Sequence, residues 1–503
     1  MNTDIKEQVI KNSFWNVITS LINRLGGFIL VILLSRLLMP EGFGRYSLAM
    51  TVALFFIAFS DIGINQALIR YVSLGIDKDN NQSASYFQYL LKIKFFVTLI
   101  LSLTLFLISY PLSVYLFKDP ILFSSFIILS LYVFFMSLIG FFESLFFIKK
   151  TVKYISIKES ILILLRIIGI SLIAYFVGQE FKLMGVFLSF VIVSILIFFF
   201  VLYFSRRSYP SLYKRTEKLK DKKGLSRFIF LLSIQSVSLM VISMASVILL
   251  GIFVEKQYVG YYSASWALIT GLSTLLFSFS YILLPVYTNA EEQRFQQLLK
   301  KTFRLLFILA LPISIGLSML SAYFISVIYG YDYLPAAIPL SILAFVIPCM
   351  IGTDLALTSF SARNKLRKFS IWMFVLAIIF LILNLVFIKI FLAGSGERVI
   401  IGVSIATLIS WLFCFVSSIF LLKRELNVNV ISFWILKPLF SCLIMSLFIF
   451  IIVNYSGEIN IFKGIMAILV GALIYVGSLF LIKGIEKEEI KEILKSLFKF
   501  NKK

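Results

Sequence analysis

Apolar stretches of roughly 20 residues, the length an α-helix needs to cross a bilayer core, recur along the whole of this 503-residue chain. That recurrence limits the possible folds more than any motif does. Hydrophobic residues make up 60% of the sequence and charged residues 14%, with a mean hydropathy of +1.01. A chain so poor in polar surface cannot hide its apolar side chains from water by folding alone. Segments such as 369–392 lack the strict polar/apolar alternation of membrane barrel strands. Helices are the spanning structure that remains.

The apolar pattern predicts fourteen helices, near residues 14–38, 46–71, 86–117, 121–148, 155–178, 183–204, 227–253, 258–287, 299–329, 335–361, 368–392, 399–422, 432–454 and 461–482. The connections fall into two sets. The set on the side of the N-terminus carries 33 Lys and Arg, the opposite set 6. By the positive-inside rule both termini are expected in the cytoplasm. This asymmetry accounts for much of the net charge of +23 and leaves no reason to invoke nucleic acid.

Residues 1–11 mix acidic and basic side chains and lead into no short apolar region with a small-residue cleavage site, so no cleaved signal peptide is expected. Cys349, Cys414 and Cys442 all lie in apolar segments, which argues against a disulfide framework or a zinc site. The chain has no histidine and no Gly-Lys dipeptide. Imidazole acid–base chemistry and a phosphate-binding Walker loop are thereby excluded, and no cofactor is expected.

The most basic loop, 205–227, holds nine Lys and Arg against Glu217 and Asp221 and falls where two halves would join. A solvated linker lying against anionic headgroups is the reading its charge supports. Beyond residue 484, Lys487, Lys491, Lys495 and Lys499 share one helical face and apolar residues another, as in a surface-bound amphipathic helix. A shift of 216 residues lays Gly44, Tyr46 and Ser47 over Gly260, Tyr262 and Ser263, each block following the first helix of a half. Six helices is an even number, so the halves are parallel repeats. The expected organisation is an all-α integral membrane protein with two six-helix lobes, 1–204 and 227–422. A linker spans 205–226, a last helix pair 423–484 and a basic tail 485–503.

The segments LLSRLLMPEGFGRYSLA (33–49), FSDIGINQALIRYVS (59–73), LLPVYTNA (283–290) and LILNLVFIKIF (381–391), with Gly402 and Ala406, carry a resemblance. The chain is similar over its whole length to the Wzx-like polysaccharide and oligosaccharide flippases of the multidrug/oligosaccharidyl-lipid/polysaccharide exporter superfamily. The resemblance implies a two-lobed transporter in the cell membrane that moves a lipid-linked oligosaccharide of the polyprenyl diphosphate type between leaflets. Its implied partners are that lipid, anionic membrane lipids and polysaccharide assembly proteins.

A charge at the centre of a membrane helix costs about 2.5–3.5 kcal/mol on insertion scales, so each requires a partner or a wet cavity. Arg24 and Arg166, near the middle of helices one and five, are candidates for a cationic cavity that binds the diphosphate through a planar guanidinium fork. The competing reading of Arg24 is a structural bridge to Asp61. Arg36, Arg45 and Arg70 lie nearer helix ends, where snorkelling competes with substrate binding. Asp61, Glu143 and Asp354 are candidates for a coupling proton or cation. Asn384 reads as an interhelical hydrogen-bonding residue. Two other functions compete with the flippase: a cation-coupled drug or metabolite exporter of the same superfamily, and a membrane-embedded sugar polymerase or ligase. An exporter of cations would need acidic cavity walls, and no outward loop is long enough to fold as a catalytic domain.

Overall fold

The computed structural model describes residues 3–76, 81–148, 152–214, 222–363, 365–430, 433–455, 461–482 and Gly484. Among them all regular structure is helical. In chain order the helices are α1 (Thr3–Asp61), α2 (Ile64–Ile76), α3 (Asn81–Pro111), α4 (Ile121–Ile148), α5 (Val152–Phe176), α6 (Lys182–Ser208), α7 (Lys222–Phe253) and α8 (Lys256–Asn289). They continue as α9 (Glu292–Met319), α10 (Ser321–Ile328), α11 (Ala337–Leu343), α12 (Val346–Ala362), α13 (Leu366–Phe391), α14 (Gly396–Leu426), α15 (Leu436–Tyr455) and α16 (Ile461–Leu481). The basic tail lies outside the described residues.

Among the described residues eleven helical stretches are long and apolar enough to cross a membrane, or twelve if 331–343 and 346–362, bent by 48°, form one span. Two features account for the difference from fourteen. α1 is two helices joined at Met39, whose φ of 59° breaks the helical run just before Pro40. Proline suits the first position of the second segment, since an amide there would have no helical acceptor. The 34-residue α8 has the length of a further span.

Packing divides the chain into two units. Unit 1 holds 1–264 and 370–403; unit 2 holds 265–369 and 404–503. The core of unit 1 is built from α2 to α6, with Phe87, Phe141, Phe142, Leu145 and Ile197 at its centre. In unit 2, Tyr323, Met445 and Tyr475 bring α10, α15 and α16 together, and the Tyr475 hydroxyl donates to the Ile308 carbonyl of α9 at 2.7 Å.

Two glycines decide how α1 and α8 cross inside unit 1. A Cβ on Gly44 would lie 1.7 Å from the Lys256 carbonyl oxygen, and one on Gly260 would lie 2.1 Å from the Pro40 carbonyl oxygen. Only glycine permits backbones that close. Gly44 and Gly260, aligned by the 216-residue shift, therefore face one another across one crossing. Elsewhere in this unit the Asn384 amide of α13 accepts from the Ser246 hydroxyl of α7 at 3.1 Å and donates to the Phe380 carbonyl. This is the interhelical role its position in an apolar segment suggests.

The loop after α6 departs from the expected solvated linker. Tyr209 and Leu212 are buried, the Tyr209 hydroxyl donates to the Leu145 carbonyl at 2.7 Å, and the Gln88 amide donates to the Leu212 carbonyl at 3.3 Å. Apolar side chains set among the basic ones dock this stretch onto unit 1. Residues 215–221 lie outside the described part.

Candidate functional site

Arg166 projects from the middle of α5 into a frame of aromatic rings. Its guanidinium carbon lies 4.6 Å from the centroid of Phe190 on α6 and 5.9 Å from that of Tyr132 on α4. One terminal nitrogen donates to the Tyr132 hydroxyl at 2.8 Å. Tyr46, on the second segment of α1, stacks on Phe187 with centroids 5.7 Å apart and meets Phe190 edge-on at 6.2 Å. Ring faces stabilise a cation without neutralising it. No carboxylate among the described residues pairs with Arg166, and its buried Nε has no hydrogen-bond partner among them. A guanidinium fixed by neutral groups, with a donor to spare, is equipped to receive an anion.

Arg45 is one residue from Tyr46 but is already engaged. Its Nε donates to Asp119 Oδ2 at 2.7 Å and its Nη2 to Glu41 Oε1 at 2.7 Å. Asp119 is held by its own amide on the Ser113 carbonyl at 2.9 Å, and its Oδ1 accepts the Ile121 amide at the start of α4. Beside this pair Lys256, buried at the start of α8, donates to the carbonyls of Phe117 and Gly251 at 2.8 and 2.7 Å. A cavity of about 600 Å³ opens here, lined by Glu41, Arg45, Lys118, Asp119, Glu255 and Lys256 among others. It sits beside the Gly44–Gly260 crossing.

Arg36 and Arg70 are exposed, Arg70 near the ring of Tyr71 at 6.0 Å. The side chain of Arg24 lies outside the described residues, and so does its pairing with Asp61. Of the carboxylates, Glu143 accepts from the buried Lys158 at 2.8 Å, and Lys158 also pairs with Glu159. Asp61 accepts the Asn65 amide at 3.1 Å. Asp354 is half-buried on α12, in unit 2.

Sequence reasoning missed Lys94, Lys158, Lys256 and Asp119 as site groups. The signal for Lys94 is its place inside an apolar segment, which demands a partner as much as any arginine does. Lys256 and Asp119 sit at helix ends, where charges are unremarkable until their contacts are known.

The fold is that of a multi-pass helical membrane protein. Residues 9–291 match the polysaccharide biosynthesis protein family, and the chain belongs to that family. Among solved structures it is similar to "Lipid II flippase MurJ, inward closed conformation", with TM-score 0.73, 17% identity, and coverage of 92% of this chain and 97% of that one. It is also similar to an inward-facing multidrug resistance MATE family transporter of the MOP superfamily, with TM-score 0.61, 14% identity, and coverage of 80% and 94%. A third is a MOP superfamily transporter from Pyrococcus furiosus, with TM-score 0.54, 13% identity, and coverage of 85% and 97%. A comparison with curated proteins gave no match.

Proposed function

We propose that this protein is a flippase that carries a lipid-diphosphate-linked oligosaccharide from the inner to the outer leaflet by alternating access. The observation that carries the reading is Arg166: a cation at mid-span, framed by rings, with a free Nε and no carboxylate among the described residues. Membership of the polysaccharide biosynthesis family supports a glycan as cargo, and the likeness to a lipid II flippase supports a lipid-linked one. In this reading Arg166 binds diphosphate oxygens, Arg24 supplies a second cation, and Arg45 takes part when its ion pairs open. Arg36 and Arg70 serve the headgroup region.

The charge count supports an outside position for the end bearing Asp119 and Lys256, and with it an outer position for the Gly44–Gly260 crossing. Tags inserted at Lys118 or Glu458 should then be reached by an impermeant reagent from outside, and tags at Lys218 or the C-terminus should be reached only after lysis. An external signal from Lys218 contradicts the orientation.

Loss of the gene should leave the lipid-linked repeat unit on the cytoplasmic face with glycosyltransferase activity intact. Loss of repeat-unit synthesis would instead favour a polymerase or ligase.

A further inference from the structure

Inside unit 1 the second segment of α1 stops at Asp61 and α2 begins at Ile64, with Gly63 between them at φ 77°. The apolar stretch 26–73 runs through this break. A break in a span leaves carbonyls at the end of one helix and amides at the start of the next without their usual partners. Lipid offers no replacement, so the protein must supply one.

It does so with charges of the matching sign. Lys94 Nζ, reaching over from α3, donates to the Ser60 carbonyl at 2.9 Å and to the Ser60 hydroxyl at 3.1 Å. On the other side of the break Asp61 Oδ1 accepts the Asn65 amide of α2. A helix C-terminus carries partial negative charge and an N-terminus partial positive charge, so the ammonium and the carboxylate each cap the end that attracts them. Lys94 is 1% exposed and lies about 20 Å along α3 from Asn81. Asp61 is close enough to act on it electrostatically. Lys158 differs, because two carboxylates neutralise it directly.

Helix breaks in transporters gather carbonyls that can hold a free sodium ion or proton. We infer that the Lys94 ammonium is a tethered cation that fills such a place at the Ser60–Gly63 break, so that this half of the protein needs no dissolved cation there. Asp61 is then the counter-charge of a permanent resident and not the ligand of a coupling ion. The transport consequence rests on the flippase reading; occupancy of the break does not.

The test is thermal melting of purified protein, which involves no substrate. Lys94→Ala in a buffer whose only cation is N-methylglucamine should melt well below wild type. Sodium, ammonium or methylammonium should restore at least half of the lost Tm in a saturable manner. Wild type and the α3 core variant Leu90→Ala should not respond to these ions. Lys94→Gln, which can donate to the same carbonyl without charge, guards against failure of the Ala variant to fold and should also become cation-responsive.

The inference is overturned if neither variant responds to any small cation, or if Lys94→Gln melts like wild type in N-methylglucamine. In reconstituted vesicles, transport by the Lys94 variants should depend on sodium more steeply than transport by wild type, and an identical sodium dependence of all three would count against the inference. A wild type that moves no lipid-linked glycan would sink the flippase reading and leave the melting result standing.

Discussion

Arg166→Ala should insert and purify normally yet lose most of its transport, by roughly ten- to a hundredfold. That range follows from the charge-assisted hydrogen bonds to the diphosphate that would be removed, about 1.5–3 kcal/mol. Folding should survive because no carboxylate among the described residues is orphaned by the change; Tyr132 loses one partner and the rings of Phe190 and Tyr132 lose a cation. Arg166→Lys keeps the charge but loses the planar fork, and a lysine donor cannot hold the Tyr132 hydroxyl and two phosphate oxygens in one plane. Partial activity is expected. A purely structural Arg166 would show the reverse: protein level and Tm would fall together in Arg166→Ala, and the molecules that survived would transport at the wild-type rate.

The second large effect is expected at the glycine crossing. In Gly44→Ala a single methyl would have to occupy space 1.7 Å from the Lys256 carbonyl oxygen, and in Gly260→Ala space 2.1 Å from the Pro40 carbonyl oxygen. Neither obstacle is a flexible side chain, so the backbones themselves must separate. The cost should reach or exceed about 3 kcal/mol, the upper part of the range for overpacking. Separation would also pull Lys256 from the Phe117 carbonyl, since both contacts lie at the same end of α8. Gly271→Ala is the control: it adds the same methyl to α8 where nothing lies within 4 Å. Melting of the three purified variants decides the matter. A loss of Tm confined to Gly44→Ala and Gly260→Ala supports the crossing, and equal melting of all three contradicts it.

Much of this architecture is legible in the sequence. The helical spans follow from lipid thickness, and the 216-residue alignment singles out Gly44 and Gly260. The alignment does not reveal that the two glycines touch, because matching two segments in sequence says nothing about whether they meet in space. Arg166 stands out because a mid-span charge is costly wherever it occurs, and Asn384 because an amide in an apolar helix needs a partner.

The rest depends on contacts between distant segments. Stretch 46–71 reads as one helix, since a break of two residues at Ile62-Gly63 disturbs its hydropathy very little. Lys94 therefore has no visible acceptor until the Ser60 carbonyl is seen turned toward it. Glu143 invites a coupling role on sequence alone, because its partner Lys158 lies on the next helix, fifteen residues on. The docked linker is hidden by composition: nine basic residues mask Tyr209 and Leu212, which take it into the core.

The most direct test of the central claim is translocation in vesicles containing only the purified protein and a fluorescent lipid-diphosphate oligosaccharide, read by an impermeant reagent that destroys or binds the exposed glycan. Wild type should transfer the inner pool to the accessible leaflet, Arg166→Ala should not, and the same glycan on a lipid lacking the diphosphate should stay where it was loaded. Failure of wild type to move the diphosphate-linked glycan, or equal movement of the two lipids by wild type and Arg166→Ala, would contradict the account.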